Sequence, residues 1–211
     1  MIELLNCDCM EYMAGLEDIS FDLAIVDPPY GIGESGGKTR TREKHINTVK
    51  HTKKGWDSSI PDAKYFRELA RVSVNRIIWG ANYMVEYLPP SMGWIYWDKK
   101  IGGDFSDGEL AYSSFNKALK AISLWNIHGG NTGNPKIHPT QKPVKLYEWL
   151  LTNYSEPGQR ILDTHLGSGS SAIAAHYFGV DFVGCELDED YYNAACKRFD
   201  AETSQIDMFS V

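Results

Sequence analysis

The stretch Arg160-Ile161-Leu162-Asp163-Thr164-His165-Leu166-Gly167-Ser168-Gly169-Ser170-Ser171 decides the fold. A short apolar run leads directly into two closely spaced glycines, and an alanine-containing run to Phe178 follows. Strand, glycine turn and helix in immediate succession form the front half of a βαβ unit. Glycines at such a turn let the backbone approach a ligand closely. The next strand, Phe182 to Cys185, ends on Glu186, where an acid can accept hydrogen bonds from ribose hydroxyls. The spacing is not GxGxxG, and no Walker lysine follows. Asp163, the turn Gly167-Ser168-Gly169 and Glu186 therefore read as a nucleoside-binding set, with a nicotinamide dinucleotide as the competing ligand.

Outward from this unit, short apolar runs alternate with helical patterns. Strands are expected at Ile2 to Leu5, Leu23 to Val26, Arg76 to Trp79, Trp94 to Trp97, Arg160 to Leu162 and Phe182 to Cys185. Helices are expected at Ala63 to Val74, Val144 to Tyr154, Ser170 to Phe178 and Asp190 to Phe199, with Pro61-Asp62 as the start signal of the first. The alternation predicts an α/β fold with a mostly parallel sheet. Tyr112 to Phe115 and Ala121 to Trp125 are read as a late antiparallel pair. Residues 31–61 and 126–143 lack periodicity and are read as two long loops, which are often functional inside a compact domain. Residues 1–200 are expected to form one domain, with 201–211 as a tail.

The second chemical signal is Asp27-Pro28-Pro29-Tyr30, directly after the run Leu23 to Val26. Open α/β sheets bind ligands at the carboxyl ends of their strands. Two prolines make a stiff turn whose carbonyls remain free as acceptors. An acid, a proline carbonyl and an aromatic face in four residues suit a planar group that carries an NH₂. The plain alternative is a strand-to-loop turn with a capping Asp. A third block, His138-Pro139-Thr140-Gln141-Lys142-Pro143, leads into the helix from Val144 and by itself reads only as a loop and helix start.

Composition narrows the partners. The 211 residues carry a net charge of −7, yet residues 36–54 hold seven Lys or Arg against Glu43 alone. That leaves −13 on the rest of the chain. One concentrated basic segment on an acidic body points to a local polyanion contact through Lys38, Arg40, Arg42, Lys44, Lys53 and Lys54; a solvated loop is the plain alternative. No apolar run is long enough to span a bilayer, and the first residues lack the basic region of a signal peptide. Cys7, Cys9, Cys185 and Cys196 show neither a CxxC pair nor zinc spacing, and read as buried thiols of a cytoplasmic protein. No metal is expected.

Taken together, these blocks resemble the DNA adenine-N6 and cytosine-N4 methyltransferase family. DPPY at 27–30 is similar to its catalytic motif, DTHLGSGS at 163–170 to its cofactor motif, and HPTQKP at 138–143 to the motif that opens the cofactor half. The order, catalytic motif first, resembles the permuted β group. Asn6-Cys7-Asp8 matches the position of the family's acid that contacts the cofactor's adenine. Two departures stand out: Thr164-His165 replaces a common Pro-Phe, and no large separate recognition domain is present.

The resemblance implies a Rossmann-like S-adenosylmethionine-dependent methyltransferase that acts on DNA. Asp27 and the Pro28 carbonyl would accept the hydrogens of an exocyclic amine, with Pro29 stiffening the turn and Tyr30 stacking on a flipped-out adenine. Asp8 would contact the cofactor's adenine, Glu186 its ribose and Gly167 to Gly169 its methionine portion. Asp163 would orient that turn, and Thr140 and Lys142 would hold the carboxylate. Cytosine N4 is the alternative target, since the cytosine branch more often carries Ser at the first motif position. A catalytically inactive DNA-binding module of the same fold is the alternative of a different class. A homodimer is expected by analogy with the β group. Gln205-Ile206-Asp207-Met208-Phe209 resembles a motif that docks bacterial proteins on the sliding clamp; folding back onto the body is the competing reading.

Overall fold

The computed structural model describes residues 1–34, 54–100, 106–125 and 136–204. The tail motif at Gln205–Phe209 and most of the basic segment, Lys38, Arg40, Arg42, Lys44 and Lys53, lie outside the described residues.

Eight strands form one sheet: β1 (Ile2–Asn6), β2 (Phe21–Val26), β3 (Ser73–Trp79), β4 (Trp94–Asp98), β5 (Gly108–Ser113), β6 (Lys120–Ser123), β7 (Arg160–Asp163) and β8 (Asp181–Glu186). Their order is β1-β8-β7-β2-β3-β5-β4-β6. From β1 to β3 every pairing is parallel. The helices are α1 (Cys9–Ala14), α2 (Ala63–Val72), α3 (Val144–Tyr154), α4 (Ser170–Phe178) and α5 (Glu189–Thr203).

The period of two in β2 explains the layering. Leu23 and Ile25 join one core with Leu146 and Leu150 of α3 and Ala172 of α4. Ala24 and Val26 join the opposite core with Met13 of α1 and Phe66 and Leu69 of α2. A central strand buried on both faces reads as a continuous apolar run, as FDLAIV does. Helix ends follow local chemistry. The Asp62 side chain accepts from the amides of Lys64 and Tyr65 and starts α2. Gly169 and Gly179, both left-handed, bracket α4.

Four points differ from expectation. The segments at 112–115 and 121–125 do not pair with each other. β5 lies between β3 and β4, antiparallel to both, and β6 runs parallel to β4. Their alternation marked them as strands but carried no information about partners. β5 also begins earlier than expected, at Gly108, where a Cβ would stand 2.4 Å from the Trp97 carbonyl oxygen. Finally α1, unpredicted, is a short helix that Asp8 caps, and α2 gives way to β3 at Ser73 rather than running to Val74.

Connections leave the middle of the sheet in opposite directions: β2 leads through α2 to β3, and β7 leads through α4 to β8. The switch point lies between β2 and β7, where doubly wound sheets open a ligand crevice at their carboxyl ends.

Candidate active site

At that switch point lies a cleft of about 790 Å³, within the usual range for small-molecule sites. Asp27 and Pro29 line it from the end of β2, Gly167 and Ser168 from the turn after β7, and Glu186 from β8. Asp8 follows β1, and Thr140 and Lys142 arrive on the segment before α3. The three sequence blocks therefore converge on one cavity.

On the β7–β8 side, the Gly167 amide donates to Glu186 Oε2 at 2.8 Å, and the Asp188 amide donates to Oε1 at 3.0 Å. Each carboxylate oxygen keeps a lone pair for a further donor. Asp8 Oδ1 accepts from the Met10 amide at 2.6 Å as the cap of α1. Asp163 is buried behind the turn, where it accepts from the His165 amide at 3.0 Å and from the Ser171 hydroxyl at 2.6 Å. These bonds orient the turn from behind, and Asp163 does not line the cleft. Burial without an opposite charge pushes its carboxyl up to about 7. Thr140 Oγ1 lies 3.1 Å from His138 Nδ1.

His165 stands where the Phe of the family pattern was missing. Its ring lines the cleft, meets Tyr65 edge-on at 5.6 Å, and takes a 2.9 Å hydrogen bond with Thr164 Oγ1. Burial pulls its imidazole down to about 4, so at neutral pH it is an uncharged aromatic wall. The apparent departure at Thr164-His165 therefore preserves a flat ring.

The catalytic corner holds more than DPPY. Lys142 Nζ donates to Asp27 Oδ2 at 2.5 Å, to Tyr30 Oη at 3.1 Å, and pairs with Glu109 Oε2 at 3.1 Å. Its side chain is 4% exposed and that of Asp27 is 15% exposed. The expectation places Lys142 at the cofactor's carboxylate; in this structure its ammonium group pairs with two carboxylates of the chain. Glu109, on β5, also pairs with Lys99. Burial opposes the charge of Glu109, but Lys142 and Lys99 outweigh it and hold its carboxyl at about 2. Burial likewise pushes Asp27 up, against the pull of Lys142.

Tyr30, expected to stack on the target base, is held by partners within the chain. Its hydroxyl donates to Asp27 Oδ1 at 2.6 Å, and its ring stacks on Tyr83 at 5.4 Å with 19° between the planes. Gly80, at the end of β3, makes room for that ring. A Cβ there would fall 2.1 Å from the Tyr30 ring, and φ is +66°. Asp57 fixes the backbone that follows. It accepts from the amides of Tyr30 at 2.7 Å, Gly31 at 2.8 Å and Glu34 at 2.7 Å.

Glu109, Tyr83, Gly80 and Asp57 escaped assignment from sequence. Trp56-Asp57 and residues 71–83 resemble small members of the family without carrying a role, Glu109 looks like an ordinary surface acid, and only the tertiary fold brings them to the motif. Lys54, expected at a DNA phosphate, carries ion pairs to the chain itself in this structure. Its ammonium group lies 2.6 Å from both Asp188 Oδ1 and Asp190 Oδ2, and 4.7 Å from the Tyr191 ring centroid. Among the described residues no group of His, Cys, Asp and Glu could hold a metal ion, and no helix is long and apolar enough to cross a membrane.

A family model described as DNA methylase matches residues 77–197. The type II methyltransferase M2.DpnII of Streptococcus pneumoniae is 25% identical over 240 residues, covering 94% of this chain and 90% of that relative. Among solved structures, the M1.HpyAVI–SAM complex gives a TM-score of 0.62 at 19% identity, covering 94% of this chain and 100% of that one. The cytosine-N4-specific PvuII DNA methyltransferase gives 0.62 at 14% identity, covering 96% and 90%. At these identities the two structures establish a shared fold, the Rossmann-like methyltransferase sheet. The family match spans more than half of the chain and takes in β5, α3 and the glycine turn; the protein belongs to the N6/N4 DNA methyltransferase family.

Proposed function

We propose that this chain transfers a methyl group from S-adenosylmethionine to N6 of adenine in DNA. The observation that carries the reading is the largely buried Asp27 carboxylate, which opens on the same cleft as Glu186, Asp8, Gly167 and Ser168. These residues suit the cofactor. Glu186 keeps lone pairs for ribose hydroxyls, and Leu187, 72% exposed beside it, offers apolar surface to a purine. The N-terminus of α4 favours a carboxylate. Bound there, S-adenosylmethionine supplies an electrophilic methyl group.

The chain's own residues then prepare the amine. An adenine amino group is a weak nucleophile because its lone pair is shared with the ring. Asp27 and the Pro28 carbonyl each accept one amino hydrogen, which favours a tetrahedral nitrogen and frees the lone pair. As positive charge develops on nitrogen, the Asp27 carboxylate stabilises it in a low-dielectric site. Reaching the amine requires extrusion of the base, at a cost of a few kcal/mol. Aspartate at the first motif position favours adenine over cytosine by resemblance. Lys38, Arg40, Arg42, Lys44 and Lys53 follow the motif closely enough in sequence to track phosphates beside the pocket.

The test incubates the protein with unmethylated genomic DNA and isotopically labelled S-adenosylmethionine, then identifies labelled nucleosides by mass spectrometry. N6-methyladenine is the expected product. N4-methylcytosine would move the chain to the other branch of the family, and no labelled base would leave a DNA-binding module.

A further inference from the structure

Each of the two oxygens of Asp27 already accepts from one strong donor. Oδ1 accepts from the Tyr30 hydroxyl at 2.6 Å and Oδ2 from Lys142 at 2.5 Å. An incoming amine must therefore share an oxygen that a strong donor already holds, and the remaining lone pair of that oxygen is the weaker acceptor for it. Lys142 imposes a second handicap. Its positive charge opposes the positive charge that must develop on the substrate nitrogen a few ångströms away.

One residue stands within reach of both donors. Glu109 Oε2 lies 3.1 Å from Lys142 Nζ and 3.3 Å from Tyr30 Oη. Glu109 is itself anchored by Lys99 through its other oxygen and stands on β5, an interior strand. We propose that Glu109 is a positioning residue that takes over Lys142, and with it the Tyr30 hydroxyl, when the target base enters. The hand-over is a short movement of two hydrogen bonds toward an acceptor that each donor already faces. It releases Asp27 for the amino group and moves the Lys142 charge away from the reacting nitrogen. Without DNA the same two donors keep the buried Asp27 paired, which matters because an uncompensated buried charge costs several kcal/mol. Glu109 thus couples the resting state to the reactive one. Neither the family motifs nor the sequence pattern assigns it a role.

This inference rests on Asp27 accepting an exocyclic amine, and does not depend on which base carries it. The test compares Glu109→Gln and Glu109→Asp with the wild type on unmethylated genomic DNA, reading kcat and KM separately for DNA and for S-adenosylmethionine. Glutamine keeps the shape but removes the charge that draws Lys142, so Asp27 becomes its sole carboxylate partner and that pair tightens. The expected result is a fall in kcat of at least about tenfold, about 1.4 kcal/mol in the barrier, with both KM values within twofold. Glu109→Asp keeps the charge, shortens the reach, and recovers much of the lost kcat. The number of active sites is set by cofactor titration, so that misfolded protein does not count as slow protein. The inference is overturned if Glu109→Gln keeps the wild-type kcat, if the loss falls in KM, or if aspartate is no better than glutamine. A wild type that methylates cytosine N4 would overturn the adenine assignment and leave this test intact.

Discussion

At the end of β2, the buried Asp27 and Glu109 meet the ammonium groups of Lys142 and Lys99. One strand away, at the end of β7, the more deeply buried Asp163 meets only a hydroxyl and an amide, and His165 meets a threonine hydroxyl. Burial alone penalises every one of these charges. In the first corner opposite charges hold Glu109 at about 2, and Lys142 opposes the burial that still pushes Asp27 up. In the second nothing of opposite sign is in hydrogen-bond reach; Asp163 rises to about 7 and His165 falls to about 4. The difference matches the chemistry each corner has to perform. A charged acceptor is needed where positive charge develops on an amine. A wall that is close to neutral is needed beside a cofactor that brings its own charges.

The largest effect should come from breaking the charged corner. Asp27→Ala removes the acceptor and leaves Lys142 with Glu109 alone. Methyl transfer should fall at least a thousandfold, about 4 kcal/mol in the barrier, while S-adenosylmethionine still binds the opposite corner. Calorimetry on the variant separates the two corners directly. Near wild-type turnover, or loss of cofactor binding in step with activity, would show that they are not distinct.

Steric tolerance differs between the corners in the same way. Gly80 and Gly167 both have positive φ, at +66° and +52°. A Cβ on Gly80 meets the Tyr30 ring at 2.1 Å, whereas one on Gly167 finds its nearest neighbour, the His138 ring, at 3.7 Å. Gly167→Ala carries the left-handed backbone cost of about 1–2 kcal/mol and no clash. Gly80→Ala also displaces Tyr30, and a shift of about 1 Å near the chemistry can cost about a hundredfold in rate. We expect kcat to drop about a hundredfold in Gly80→Ala with cofactor affinity unchanged. Equal kcat values for the two variants would mean that the placement of Tyr30 is not critical.

What was legible in the sequence follows the same division. The glycine turn, Asp163 and Glu186 depend on local strand–turn–helix chemistry, and their strands and helices fall close to where periodicity put them. The charged corner is assembled from β2, β5 and the segment before α3, so its partners are 82 residues apart for Asp27 and Glu109 and 115 for Asp27 and Lys142. Nothing local to Glu109 distinguishes it from a solvated acid. The same limit explains the strand pairing of β5 and β6, whose alternation is a property of each segment while pairing belongs to the whole sheet. Lys142 stands out by its motif yet has a different partner from the one the motif implies, because a motif names a residue without saying where its ammonium group points.

The near-neutral corner makes a prediction about pH. The folded-state value of Asp163, about 7, lies above its ordinary 3.8. Between these values the folded chain holds a proton that the unfolded chain has released, so this group's contribution falls as pH rises from about 4 to 7. His165 is depressed from 6.5 to about 4, and over that range the unfolded chain holds the extra proton. Its contribution therefore rises with pH, and the two slopes oppose each other. Asp163→Asn keeps an acceptor for the His165 amide and removes the falling slope. The stability of the variant relative to wild type should increase from pH 4 to 7, by up to about 1.4 kcal/mol per unit. Thermal unfolding of both proteins across that range would reveal it; parallel profiles would mean that Asp163 is ionised in the folded chain.

Lys54 gives the smallest expected effect and tests where the protein ends its own structure and begins to read DNA. It closes the basic segment in sequence, yet its ammonium group sits between Asp188, which caps α5, and Asp190. Its side chain is 23% exposed, so water screens the pairs, and such bridges contribute about 0–1 kcal/mol. Lys54→Met should lower thermal stability slightly and leave DNA affinity and its salt dependence unchanged. Replacing Lys38, Arg40, Arg42 and Lys44 together by glutamine should instead flatten the plot of log affinity against log salt, by about 0.9 for each duplex phosphate that is no longer neutralised. A fall of about one in that slope for Lys54→Met alone would show that Lys54 leaves Asp188 for a phosphate when DNA binds. In that case the boundary between the α5 cap and the DNA-contacting segment would shift by one residue.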